Sequence, residues 1–110
     1  MENLRIRVEG SPAGKALILR VEGEVDALTL DRFARQLRQV LACAVAEGAV
    51  VLELQQVHFL SCAGAEVLAE AQRRFRELGV PVEVKASRAV LRALQVTGLS
   101  KLLSVPPVVA

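Results

Sequence analysis

Few groups in this chain can do chemistry. His58 is the only histidine, and Cys43 and Cys62 are the only cysteines. One imidazole and two thiols cannot supply a four-ligand zinc site, and two cysteines make no secreted disulfide framework. Neither Ser nor Cys stands in a recognisable nucleophile–base motif. Asp26, Asp31 and the glutamates form no paired-carboxylate signature, and neither GxGxxG nor GxxxxGK[ST] occurs. His58, just before Phe59, reads as a surface or cap residue. The expectation is a protein that is not an enzyme and holds no cofactor or metal.

One segment does stand out: Phe59-Leu60-Ser61-Cys62-Ala63-Gly64. It joins an apolar run to an amphipathic stretch, and its small residues let the backbone turn tightly. A helix starting there leaves N–H groups free and carries partial positive charge, which favours an anion. A hydroxyl or thiol in that position is exposed and electrostatically activated. The plainer reading is also open: Ser61 as N-cap, Cys62 as a small filler.

The elements that position this segment follow from periodicity. Leu4, Ile6 and Val8 alternate with Arg5, Arg7 and Glu9, a half-buried strand, and Gly10–Gly14 is a turn. A second strand is expected from Ala16 to Val21, ending at Gly23, and pairing antiparallel with the first. Leu30, Phe33, Ala34, Leu37, Val40, Leu41, Ala44 and Val45 form one helical stripe. Asp26 or Thr29 caps that helix and Gly48 ends it. Cys43 falls with Arg32, Gln36 and Gln39 on its polar face. Ala49–Leu54 is a near-continuous apolar run, expected as a central parallel strand covered on both faces. Gln55–Ser61 reads as a connection. A helix over about Ala63–Leu78 buries Gly64, Val67, Leu68, Ala71, Phe75 and Leu78, with Glu66, Glu70, Arg73 and Glu77 outward. Val80–Val84 is a strand with Pro81 at its start or on an edge. Ser87 caps a last helix to about Thr97, with Val90, Leu91 and Leu94 inward and Gly98 as its stop. Leu102–Val105 is expected to add a short edge strand, and residues 106–110 a loose tail.

The fold class is therefore α/β: a mixed sheet in β-β-α-β-α-β-α order, packed with helices through right-handed crossovers. The 110 residues support a single domain over 1–110, with its core at about 4–105. Apolar residues make up 53%, enough for a core, and Val, Leu and Ala supply nearly all of them, which suits layered packing. Trp and Tyr are absent, so stacking platforms for single strands and aromatic cages are excluded. The net charge is +2 and no basic run appears, so nucleic acid is not expected as a partner. The first ten residues lack an apolar leader, and no stretch nears the roughly 20 apolar residues of a membrane span. A cytoplasmic protein with reduced thiols and no direct membrane insertion is expected.

At these residues the chain resembles the STAS domain, the fold of bacterial anti-sigma factor antagonists. Gly23-Glu24-Val25-Asp26 with Thr29 is similar to the family's G-E-[LV]-D-x-x-T. Val51–Leu54 followed by Val57–Gly64 resembles the strand leading into F-[ML]-D-S-[SA]-G. Ser87–Leu94 with Thr97-Gly98-Leu99 resembles S-P-x-V-x-R-x-L…[ST]-G-L. The resemblance implies a protein-binding module: an antagonist that binds an anti-sigma factor of the serine kinase type and so frees a sigma factor. It implies a phosphoserine switch in the same loop, but here the family's Asp aligns with Ser61 and its phosphoacceptor Ser with Cys62. The usual switch is therefore expected to be lost, leaving constitutive binding or another control, such as oxidation of Cys62. A Cys43–Cys62 disulfide is not expected, because Cys43 lies on the polar face. Partner contacts are expected from Asp26, Thr29, Ser61, Cys62, Ala63, Gly64 and Glu66, on a chain that is a monomer when free. The alternative is a STAS subunit of a lipid-transport permease/ATPase complex.

Overall fold

The structure, a computed structural model, describes residues 3–11, 14 and 16–98. The expected strand at Leu102–Val105 and the tail from Pro106 lie outside the described residues. The elements are β1 (Leu4–Gly10), β2 (Leu17–Val25), α1 (Leu30–Glu47), β3 (Val50–Leu60), α2 (Cys62–Glu77), β4 (Val82–Ala86) and α3 (Arg88–Val96). They form a four-stranded sheet in the order β1-β2-β3-β4. β1 pairs antiparallel with β2, while β2, β3 and β4 run parallel. This is the expected α/β order.

Each crossover moves one strand further in the same direction. Right-handed connections therefore put α1 and α2 side by side on one face of the sheet. Leu19, Val21, Leu52, Leu54 and Val84 point from the sheet into this layer, and Phe33, Leu37, Leu68 and Phe75 meet them from the helices. A fully buried Leu or Phe contributes about 1.5–3 kcal/mol relative to an exposed one.

The other face corrects the expectation that β3 is covered on both sides. Among the described residues no element packs there. Val51 and Glu53 are only half-buried, and the surface is polar. Arg20, Glu53 and Lys85 occupy one row across β2, β3 and β4. Arg20 Nε donates to Glu53 at 2.6 Å and pairs with Glu9; Lys85 reaches Glu53 at 3.8 Å, and Arg5 reaches Glu22 at 3.6 Å. The hydrogen bond that Arg20 donates to Glu53, and then the charges of Glu9 and Glu53, hold the Arg20 guanidinium above its ordinary pKa. A one-sided sheet explains why an apolar run with a single central Glu was ambiguous: Glu53 points outward to cations.

Two strands run longer than their sequence patterns indicate. β2 continues through Gly23 to Val25, and β3 continues through Gln55 to Leu60 instead of becoming a connection. The ladder between them shifts register between Arg20 and Glu22 and again between Gly23 and Glu24. At each shift β3 carries an extra residue, a bulge that breaks two-residue alternation. Its burial beyond Leu54 therefore repeats at Val57 and Leu60, with Gln55, Gln56, His58 and Phe59 exposed. That three-residue spacing hid the strand.

The end of α2 corrects a core assignment. Leu78 is 53% exposed, and Val80 takes the inward place at 8%. The Gly79 N–H bonds the Arg76 carbonyl and the Val80 N–H bonds the Phe75 carbonyl at 2.9 Å, with Gly79 left-handed at φ 72. This is a Schellman stop, which turns the chain back so that Val80 covers Phe75. β4 accordingly begins at Val82, after Pro81, rather than at Val80. On α1, Cys43 and Gln39 are exposed as expected, but Arg32 reaches inward, donating to the Leu4 carbonyl at 3.1 Å. Val90 and Leu94 of α3 are buried, with Leu91 half-buried.

Candidate functional site

β2 and β3 end side by side, Val25 opposite Leu60, and the Ser61 N–H closes the pair by bonding the Val25 carbonyl at 2.9 Å. Both following helices thus start at the same end of the sheet. The Asp26–Thr29 turn and the Ser61–Gly64 turn abut there because their parent strands are hydrogen-bonded neighbours. In open α/β sheets, ligands and partners are met outside the carboxyl ends of the strands.

The first turn is held from within. The Asp26 carboxylate accepts the N–H groups of Leu28 at 3.0 Å and Thr29 at 3.2 Å. The Thr29 hydroxyl accepts the Asp26 N–H at 2.9 Å, and its single proton faces the Glu24 carbonyl at 2.8 Å. Asp26 and Thr29 are therefore not alternatives as caps. Thr29 holds the N-cap position without a side-chain bond to the helix, while Asp26 caps the turn leading into it. Thr29 is fully buried. Thr29→Val keeps the shape and leaves the Asp26 N–H and Glu24 carbonyl without that partner. It is expected to cost about 2 kcal/mol in urea denaturation, with Thr29→Ser recovering most of the loss. A Val variant as stable as wild type would show that the turn does not depend on the hydroxyl.

The second turn is a helix N-cap. Ser61 is extended at φ −67, ψ 164, and its Oγ accepts the Gly64 N–H at 3.0 Å. Cys62 is the first residue of α2, exposed and free, and Ala63 is exposed beside it. Gly64 is buried, and a Cβ there would lie 2.7 Å from Leu60 Cδ1 and 2.9 Å from Val25 Cγ1. Glu66, half a turn beyond Gly64, is exposed. Ser61 caps, as the plainer reading has it, and the thiol of its neighbour Cys62 is exposed.

Two exposed apolar residues were not among the expected contacts. Leu28 is 66% exposed on the Asp26 turn, and Phe59 is 49% exposed next to the end of β3. Leu28 falls outside the α1 stripe, which could have marked it; Phe59 was hidden by the bulge. His58 is exposed, as expected, in a shallow polar depression with Asn3, Arg5 and Gln56. Ser87 anchors the site from behind: its Oγ donates to the Val57 carbonyl at 2.7 Å and accepts the Val90 N–H, fixing α3 against the upper half of β3. Among the described residues no three His, Cys, Asp or Glu side chains gather into a metal-binding group, and no helix is long and apolar enough to cross a membrane.

The structure is thus a one-sided α/β sheet with two capped turns at its carboxyl end. The chain belongs to the STAS domain family, whose model matches residues 5–110. Proteins it is similar to include anti-sigma factor antagonists. RsfA, the anti-sigma-F factor antagonist of Mycobacterium tuberculosis, is 31% identical over 93 residues, 84% of this chain and 73% of that protein. An anti-sigma factor antagonist from Mycobacterium paratuberculosis superposes with a TM-score of 0.77 at 24% identity, over 96% of this chain and 87% of that one. Bacillus SpoIIAA in its phosphorylated form shares the fold at a TM-score of 0.65 and 12% identity, over 94% and 92% of the two chains.

Proposed function

We propose that this chain acts as an anti-sigma factor antagonist whose usual serine switch is missing. It binds an anti-sigma factor of the kinase type through the Asp26 turn, the Ser61–Gly64 turn and the start of α2, and so releases a sigma factor. Its contact residues are Asp26, Ser61, Cys62, Ala63 and Glu66; Thr29 and Gly64, expected among the contacts, are buried and act from below by holding the turns in shape. The observation that carries this reading is the pairing of an engaged hydroxyl with an exposed thiol. The Ser61 Oγ is committed to the Gly64 N–H, and the outward position on the first turn of α2 belongs to Cys62. A kinase that transfers phosphate to a hydroxyl finds a sulfur there. A phosphate would add about −1.5 to −2 charge at that position; without one, the Cys62 position carries no phosphate charge and the surface stays competent.

The test uses a cognate anti-sigma kinase, ATP and this protein. Wild type is expected to remain unlabelled, and Cys62→Ser to accept phosphate on the new hydroxyl. Cys62→Asp is expected to weaken binding to the anti-sigma factor at least tenfold, about 1.4 kcal/mol. Label on Ser61 of the wild type, or equal capture by wild type and Cys62→Asp, would overturn the reading.

A further inference from the structure

Among the described residues five large apolar side chains are exposed, and two of them, Leu28 and Phe59, sit where β2 and β3 end. Scattered exposed apolar residues are ordinary on a protein surface. These two are set in place by the backbone. The Leu28 N–H donates to the Asp26 carboxylate at 3.0 Å, and the buried Thr29 follows it in the chain. Phe59 is turned outward by the second bulge of β3. Val57 faces the core, so strict alternation would send Phe59 inward as well. His58 is the extra residue of the ladder, and Phe59 comes instead to stand opposite Glu24, while Leu60 takes the inward place. Bulges next to functional sites re-aim side chains in this way. Ala27, Cys62 and Ala63 are exposed on the same two turns, and Asp26 Oδ1 and Ser61 Oγ are bonded within them. Asp31 and Glu66 stand exposed further along α1 and α2. An apolar centre with a polar rim is the anatomy of a protein-binding patch.

We propose that Leu28 and Phe59 are the apolar anchors of the partner interface, each entering an apolar hollow on the anti-sigma factor. This rests on the function proposed above and says which side chains supply its affinity. A few anchors carry most of the energy of an interface, and side chains on a fixed backbone lose little freedom when they bind. The anchors also give a reason for the sensitivity of position 62 to charge. A carboxylate or phosphate placed between them has to give up its water inside an apolar contact, which is costly without a paired cation.

Calorimetric titration of the full chain with a purified cognate anti-sigma kinase tests the anchors. Leu28→Ala and Phe59→Ala are each expected to weaken binding at least tenfold. Both variants are expected to stay folded by circular dichroism, because neither side chain belongs to the core cluster. Leu78→Ala, comparably exposed at the far end of α2, is expected to bind as wild type does. Burial of apolar surface gives binding a negative heat-capacity change, which is expected for wild type and should shrink in Phe59→Ala. Cys62→Asp in the same titration separates this proposal from the reading it rests on. If wild type binds and Cys62→Asp weakens it, while either alanine variant binds as wild type does, the anchors are overturned and the function proposed above stands. A loss of binding that comes with unfolding, or one that Leu78→Ala matches, overturns the anchors too. A wild type that does not bind overturns both.

Discussion

Gly23→Val is expected to destabilise the protein by about 4 kcal/mol, the largest effect of any substitution considered. Gly23 has φ +111, a conformation that L side chains rarely adopt. A Cβ there would sit inside contact distance of the Asn3 carbonyl oxygen, 3.0 Å from its carbon and 3.3 Å from Leu4 Cα. All three are backbone atoms of the neighbouring strand and the residue leading into it. The Asn3 carbonyl also accepts the Glu24 N–H at 2.7 Å, so it cannot withdraw without losing that bond. Strain and overpacking each cost roughly 1–3 kcal/mol, and here they add because both arise from one atom. At about 4–8 °C per kcal/mol for a chain of this size, the melting temperature should fall by about 16 °C or more. A loss below about 1 kcal/mol would show that β1 gives way, and that the glycine is not required by its fit. The same change would disturb Glu24 and Asp26, so weaker partner binding should accompany it.

Gly64→Val is expected to cost about 3 kcal/mol, for a different reason. Gly64 lies within α2 and has no unusual φ; what it lacks is room. The nearest atoms are side-chain tips, Leu60 Cδ1 and Val25 Cγ1, with Ser61 Oγ at 3.3 Å. Tips can shift by a few tenths of an ångström, and alanine gains about 1 kcal/mol of helix propensity over glycine. Gly64→Ala should therefore cost about 1 kcal/mol or less, while the two further methyls of valine have nowhere to go. Denaturant melts of the two variants, side by side, check this. Equal losses for Ala and Val would mean that the cost comes from the backbone and not from packing. The comparison also bears on the site, since Gly64 sets how closely the thiol-bearing turn lies against β2.

The motif glycines show what was readable in advance and what was not. Gly23 and Gly64 stand out in the sequence by their place beside Asp26 and Ser61. Only the structure separates their roles, because the constraints come from Asn3 and Val25, both distant in the chain. The bulges of β3 are a similar case. Alternation is a local signal, and two extra residues in one strand erase it, although the ladder to β2 continues. Leu78 matched the helical stripe yet faces outward, because the Gly79 stop hands its place to Val80.

The sequence alone determined the order of elements, the helix faces, the caps at Ser61 and Ser87, and the presence of a thiol at Cys62, directly after the Ser61 cap. These are properties of neighbours within a few positions, and 3.6- and two-residue periods report them. Tertiary structure decided which face of the sheet is open, that the Asp26 and Ser61 turns abut, and that Thr29 is buried as a linchpin between Glu24 and Asp26. Each of those depends on strand pairing across the chain, β2 against β3 above all. Hydrogen bonds between parallel strands fix positions that no local pattern encodes.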